Sequence, residues 1–196
     1  LKNIKELCEA GVCWVQLRVK DQSIDKVKAL AIDAREICNE HKAVFIMNDH
    51  VELAREVDAD GVHLGKEDMK PVAARKILGS DKIIGGTANT FEDVQRLVDQ
   101  EVDYIGLGPY TYTDTKKKLS PVLGIEGYKN ILEKCKVKGI TTPIVAIGGI
   151  VLSDVNNIMN TGVTGIAISG LLTESIVKKE LVGQLNELLT TRTIKK

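Results

Sequence analysis

No stretch of this 196-residue chain comes near the roughly 18 consecutive apolar residues of a membrane-spanning helix, and no signal-peptide pattern opens it, so a soluble protein is expected. Net charge is missing as well. The 27 Lys and Arg are matched by 27 Asp and Glu, dispersed along the chain, and offer no basic face to a nucleic acid or another polyanion. Four cysteines, at 8, 13, 38 and 135, lack any metal-ligand spacing; they sit within apolar patterns, which reads as reduced core thiols in an intracellular, cytoplasmic protein. No G-x-G-x-x-G stands as a dinucleotide signature. His63 lies inside an apolar run with no Ser, Cys or second His at useful spacing, so it reads as structural rather than as part of a nucleophilic triad.

What the chain does have is alternation. An amphipathic stripe over 1–10 (Leu1, Ile4, Leu7, Cys8) closes at Gly11, and Val12 to Leu17 follows as an apolar run expected to be a strand buried on both faces. Ser23 is placed to cap a helix whose face is Ile24, Val27, Leu30, Ala31, Ala34, Ile37 and Cys38. The unit repeats: strands at 43–47, 61–64, 82–85, 104–107, 144–147 and 165–168. Between them fall helices at 51–57, from Pro71 to Gly79, from the Thr90/Asp93 start signal to Val98, along Ile125 to Cys135, and from a Ser153 cap to Gly162. A last helix carries Ile176, Val177, Leu181, Leu185, Leu188 and Leu189. Such alternation predicts a parallel sheet with right-handed crossovers in one domain over 1–196. The chain opens at Leu1 on a helix with no strand before it. We therefore expect a (β/α)8 TIM barrel whose first strand is absent from the sequence, with a doubly wound open sheet as the competitor.

Residues 103–118, D-Y-I-G-L-G-P-Y-T-Y-T-D-T-K-K-K, read as a strand stopped by Pro109 that delivers a loop of hydroxyls and ammonium groups suited to phosphate oxygens. In a barrel the loops after all the strands share one rim. The rim would gather Gln16, Arg18 and Lys20; Asn48 and Asp49; His63, Lys66 and Asp68; Thr87 and Asn89; Thr113, Thr115 and Lys116; Gly148 and Gly149; Ser169 and Gly170. Arg18, Lys20 and Lys116 supply more positive charge than one phosphate needs. Asp49 and Asp68 are hard oxygen donors, few in number, of the kind that suits Mg2+ bound together with substrate phosphate. The glycines after the last two strands stand where barrels often cradle a phosphate on backbone N–H groups. Plainer readings stay open for each: strand-end charges, Asn48-Asp49 as a helix cap, Gly148-Gly149 as a turn, Trp14 and the tyrosines as packing.

Five stretches together resemble the thiamine phosphate synthases: V-Q-L-R-V-K at 15–20, I-M-N-D at 46–49, A-D-G-V-H-L-G-K-E-D at 59–68, D-Y-I-G-L-G-P at 103–109 with T-D-T-K at 113–116, and P-I-V-A-I-G-G-I at 143–150. The resemblance implies a Mg2+-dependent transferase that joins 4-amino-2-methyl-5-hydroxymethylpyrimidine diphosphate to 4-methyl-5-(2-hydroxyethyl)thiazole phosphate, or its carboxylated tautomer, and releases pyrophosphate. It places Gln16, Arg18, Lys20 and Lys116 on the pyrophosphate, Asn48 on the pyrimidine, and Asp49 and Asp68 on the metal. Thr113, Thr115, Gly149, Ser169 and Gly170 fall on the thiazole phosphate, with Ile168-Ser169 an equally fair placement. Thr87 stands where the family commonly has Ser, Asn89 replaces a His, Lys66 a Gln and Tyr112 a Pro. The partners implied are small molecules, with no nucleic acid or membrane, and assembly into a homo-oligomer is left open. A thiazole tautomerase-like relative and a non-catalytic thiamine phosphate sensor are the alternatives; neither needs the whole set of Arg18, Lys20, Asp49, Asp68 and Lys116.

Overall fold

A computed structural model describes residues 1–113 and 120–190. Within them the alternation holds: α1 Lys2–Glu9, β1 Trp14–Leu17, α2 Ile24–Glu40, β2 Val44–Asn48, α3 Val51–Glu56, β3 Gly61–Leu64, α4 Pro71–Leu78, β4 Ile83–Ala88 and α5 Phe91–Val98. The second half continues with β5 Tyr104–Leu107, α6 Gly124–Val137, β6 Ile144–Ile147, a 3-10 turn Leu152–Asp154, α7 Val155–Met159, β7 Gly165–Ala167, α8 Gly170–Thr173 and α9 Lys178–Thr190. All seven strands are parallel and pair in sequence order, β1 to β7, so every strand's C-terminal end lies at the same side of the sheet.

The sheet curls. Trp14 of β1 and Tyr104 of β5 touch edge to face with ring centroids 5.6 Å apart, although four strand spacings, roughly 19 Å in a flat sheet, separate those strands. Its convex face carries Phe45, Met47, Val62, Leu64, Ile84, Ile105, Leu107 and Ala146 into one core cluster with helix residues such as Ala31, Ala34, Val94, Tyr128 and Ile158. Ile46 is fully buried yet stands outside that cluster, because the period-2 alternation turns it to the concave face with Asn48. At the N-terminal ends of the strands a device recurs. Asp60 Oδ2 accepts the Phe45 N–H at 2.7 Å and is held by Arg35, and Asp103 Oδ2 accepts the Ile84 N–H at 2.7 Å and is held by Arg75. Each of these aspartates precedes one strand and accepts a backbone N–H of the neighbouring strand.

Several expectations need correcting. β1 alternates between exposed and half-buried positions instead of being buried on both faces, and Trp14 is 45% exposed, because β1 is an edge of the seven-strand sheet with a partner on one side only. Cys13 is exposed on the approach to that edge, whereas Cys8, Cys38 and Cys135 are buried thiols as expected. Ser23 occupies the N-cap position of α2 without a side-chain cap bond. Ser153 does not cap: it lies inside the 3-10 turn, where Asp154 Oδ2 accepts the Val151 N–H. Ile176 and Val177 precede α9 and are exposed, so the apolar face of that helix begins at Leu181.

Candidate active site

Asp49 sits at the centre of the C-terminal rim. β2 ends at Asn48, and Asp49 follows with φ 66°, a left-handed conformation that a short polar side chain tolerates better than most. Its N–H donates to the His63 carbonyl of β3 at 3.0 Å, which fixes the turn to the neighbouring strand. The carboxylate is 16% exposed and ion-pairs with the Lys20 ammonium. It shares a hydrogen bond with Asp68, and Arg18 is close enough to act on its charge. Arg18 and Lys20 come from the segment after β1, Asp49 from the one after β2, Asp68 from the one after β3; residues up to fifty apart in sequence meet in one cluster. The alternative in which Asn48-Asp49 caps α3 does not hold, since His50 occupies that N-cap position and no side chain closes it.

Electrostatics separates the two carboxylates. Burial raises both, but in Asp49 the hydrogen bond from Asp68, then Lys20 and Arg18, outweigh it and hold the group below its ordinary range. Asp68 is pushed up, by burial first and then by the charge and hydrogen bond of Asp49, with only the Gly65 N–H, donating to Oδ2 at 2.7 Å, and Lys20 to oppose it. Two acidic groups therefore face each other with their repulsion incompletely relieved. Among the described residues no group of three or more His, Cys, Asp or Glu is placed to hold a metal ion.

Gln16 lies on β1, exposed, two residues before Arg18. Asn48 is buried and in register with His63. Thr87 is buried one residue from the end of β4, with its hydroxyl 2.9 Å from His63 Nε2. Thr113 is half-buried at the rim, while Thr115 and Lys116 lie outside the described residues. Gly149, at φ 69°, follows β6, and its carbonyl accepts the Thr111 hydroxyl at 2.8 Å, bringing the loops after β5 and β6 into contact. Ile168, half-buried, and Ser169, exposed, follow β7, with Gly170 opening α8. Lys66 reaches the rim but is spent on Asp93. Lys20, Asp49 and Asp68 thus interact directly, with the Arg18 charge acting on Asp49; the others share the rim.

Sequence reasoning missed two networks. Half-buried Tyr104 and buried His63 and Thr87 form a hydrogen-bonded row. Asn89 donates to the carbonyls of Gly108 at 3.0 Å and Pro121 at 2.8 Å, while Asp93 Oδ2 accepts the Asn89 N–H. Only the Thr90/Asp93 capping box, present with both its bonds, had a sequence signal.

The family model for thiamine monophosphate synthase matches residues 1–172. The chain belongs to that family. It is 50% identical over 194 residues to the thiamine-phosphate synthase of Flavobacterium johnsoniae, covering 99% of this chain and 92% of the relative. It is 52% identical over 189 residues to that of Flavobacterium psychrophilum, covering 96% and 92%. Among solved structures, the thiamine phosphate pyrophosphorylase from Pyrococcus furiosus superposes with a TM-score of 0.83 at 30% identity, covering 96% of this chain and 88% of the other. The resemblance read from the five stretches is borne out at the level of the family.

Proposed function

We propose that the chain is a thiamine-phosphate synthase that joins the pyrimidine diphosphate to the thiazole phosphate, giving thiamine phosphate and pyrophosphate, or to its carboxylated tautomer, which loses CO2 as well. The observation that carries this reading is the convergence of Arg18, Lys20, Asp49 and Asp68 from three loops into one cluster. Asp49 and Asp68 fit Mg2+: they are hard oxygen donors near enough to hydrogen-bond each other, their mutual repulsion invites a cation, and two carboxylates leave room for phosphate oxygens and water. When bound there, Mg2+ neutralises charge on the diphosphate.

Arg18 and Lys20, with Gln16, bind and orient the diphosphate and stabilise the charge it gains as it leaves. Lys116 is assigned the same task. Asn48 orients the aminopyrimidine, with Thr87 beside it. The C–O bond between the pyrimidine methylene and the diphosphate breaks, and the electron pair departs with the diphosphate. The aminopyrimidine donates into the cation left behind, and the thiazole nitrogen supplies the pair for the new C–N bond. No protein nucleophile is required. Thr113, Thr115, Gly149, Ile168, Ser169 and Gly170 hold the thiazole phosphate.

The exposed, singly paired edges at β1 and β7 support closure of the sheet into a (β/α)8 barrel by one further strand. Buried thiols at Cys8, Cys38 and Cys135 suit the cytoplasm. A tautomerase-like relative or a sensor would have little use for the charged cluster. Incubation with both substrates and Mg2+ tests the reading. Thiamine phosphate and pyrophosphate should accumulate in equal amounts, and their absence with either thiazole tautomer would end it.

A further inference from the structure

The row beneath the rim has a direction. His63 of β3, Gly85 of β4 and Tyr104 of β5 are in register across three strands. A Cβ at Gly85 would come within 2.2 Å of the Tyr104 ring, and one at Gly106 within 2.9 Å of His63 Cε1. Two missing side chains therefore let the phenol cross β4 and let the imidazole stand beside it. Tyr104 hydroxyl and His63 Nδ1 are 2.9 Å apart, and His63 Nε2 and Thr87 Oγ1 are also 2.9 Å apart.

Among the described residues His63 is the one hydrogen-bond partner of the Tyr104 hydroxyl. The phenol of half-buried Tyr104 meets His63 Nδ1, and the burial it has moves Tyr104 well above the ordinary tyrosine range, so its proton stays on and donates to Nδ1. Nδ1 as acceptor fixes the neutral ring in the Nε2–H tautomer. Nε2–H then donates to Thr87 Oγ1. The Thr87 hydroxyl has no other partner among the described residues, and its own proton is left for a group outside the row.

We propose that His63 is a positioning residue: backed by Tyr104, it turns the Thr87 hydroxyl into a one-way donor, so that this point of the site accepts a hydrogen-bond acceptor on the pyrimidine diphosphate and disfavours a donor. The substrate part rests on the synthase reading; the tautomer part does not.

Two measurements test it. Nitrogen NMR of ring-labelled histidine in the full chain, with the His63 signal assigned by its loss in His63→Gln, should show a protonated Nε2 and a bare Nδ1. The opposite tautomer, or a ring protonated at both nitrogens near neutral pH, overturns the proposal whatever the activity. In the synthase assay, Thr87→Val and His63→Leu/Tyr104→Phe should each lower kcat/KM for the pyrimidine diphosphate roughly tenfold, the scale of one directed hydrogen bond. The KM for the thiazole phosphate should stay unchanged. Pairing His63→Leu with Tyr104→Phe avoids leaving the phenol unsatisfied. In the Thr87→Val background the double change should cost nothing further, and His63→Gln, which keeps an N–H near the Nε2 position, should recover most of the rate. If the double change costs as much in the Thr87→Val background as in the wild type, or if both KM values shift alike, the histidine is merely structural. If the wild type yields no thiamine phosphate, the synthase reading fails while the tautomer result still stands or falls by itself.

Discussion

Two acidic sites at the same rim end in opposite electrostatic states. Asp93 accepts the N–H groups of Asn89 at 3.0 Å and Thr90 at 3.1 Å and ion-pairs with Lys66 and Arg96. Burial works against its charge, but these partners overrule it and hold the carboxyl at about 2. Asp68, on the same loop as Lys66, is pushed the other way, by burial and by Asp49. Lys66 thus serves Asp93 and leaves its loop neighbour to the partial compensation of the Gly65 N–H and Lys20. The first arrangement is a finished structural joint; the second keeps unfavourable charge in place, which is how a site built for an external cation differs from one built for stability.

The largest effect expected from breaking this contrast is at Asp49. Asp49→Ala should lower the coupling rate roughly a thousandfold, a loss at the upper end of those seen for one transition-state contact, while calorimetry still detects thiazole phosphate binding. An active variant with unaltered Mg2+ dependence would contradict the metal assignment.

Asp93 should respond in stability instead. Asp93→Asn is expected to cost about 2–3 kcal/mol in urea unfolding, because Lys66 and Arg96 lose their charged acceptor. Since the folded-state pKa lies below the ordinary 3.8, at about 2, the contribution is complete above pH 4 or so and fades as pH falls through about 2. The stability gap between wild type and Asp93→Asn should therefore close on acidification; a gap that stays constant from pH 6 to roughly 2 contradicts the assignment of the shift to Asp93.

Asp68→Asn should go the opposite way, stabilising the chain by about 0.5–1 kcal/mol through relief of like charge while the coupling activity falls. Mg2+ should raise the melting temperature of the wild type and leave that of Asp68→Asn unmoved. The smallest effect belongs to the pair Lys28–Glu56, both partners well exposed: Lys28→Ala should change stability by less than about 0.5 kcal/mol, a baseline for a rim-free ion pair.

The strand and helix positions were legible because each has a local cause. Pro71 opens α4, Thr90 and Asp93 form the box that starts α5, and the apolar stretches of β2 to β6 match strands that the sheet and helices enclose. Errors fell where a neighbour decides the outcome. Nothing in the local pattern of β1 tells that one edge lacks a partner, and Ser153 looks like a cap until the 3-10 turn hands that role to Asp154. The charged residues of the site were nameable from strand ends, but nothing local told that Lys66, two positions before Asp68 and gathered to the same rim, pairs with Asp93. His63 read as structural on spacing alone, since its partners Tyr104 and Thr87 become visible only once β3, β4 and β5 are laid in register.

By itself the sequence determined the periodicity, and with it a parallel α/β sheet whose strand ends carry the polar residues, because side-chain alternation and capping are properties of neighbours along the chain. Tertiary structure decided which charges touch. Whether Asp49 meets Lys20 and Asp68, and whether Lys66 turns instead to Asp93, depends on how far the sheet curls and on distances across strands, and those are set by packing between residues that the linear order keeps apart.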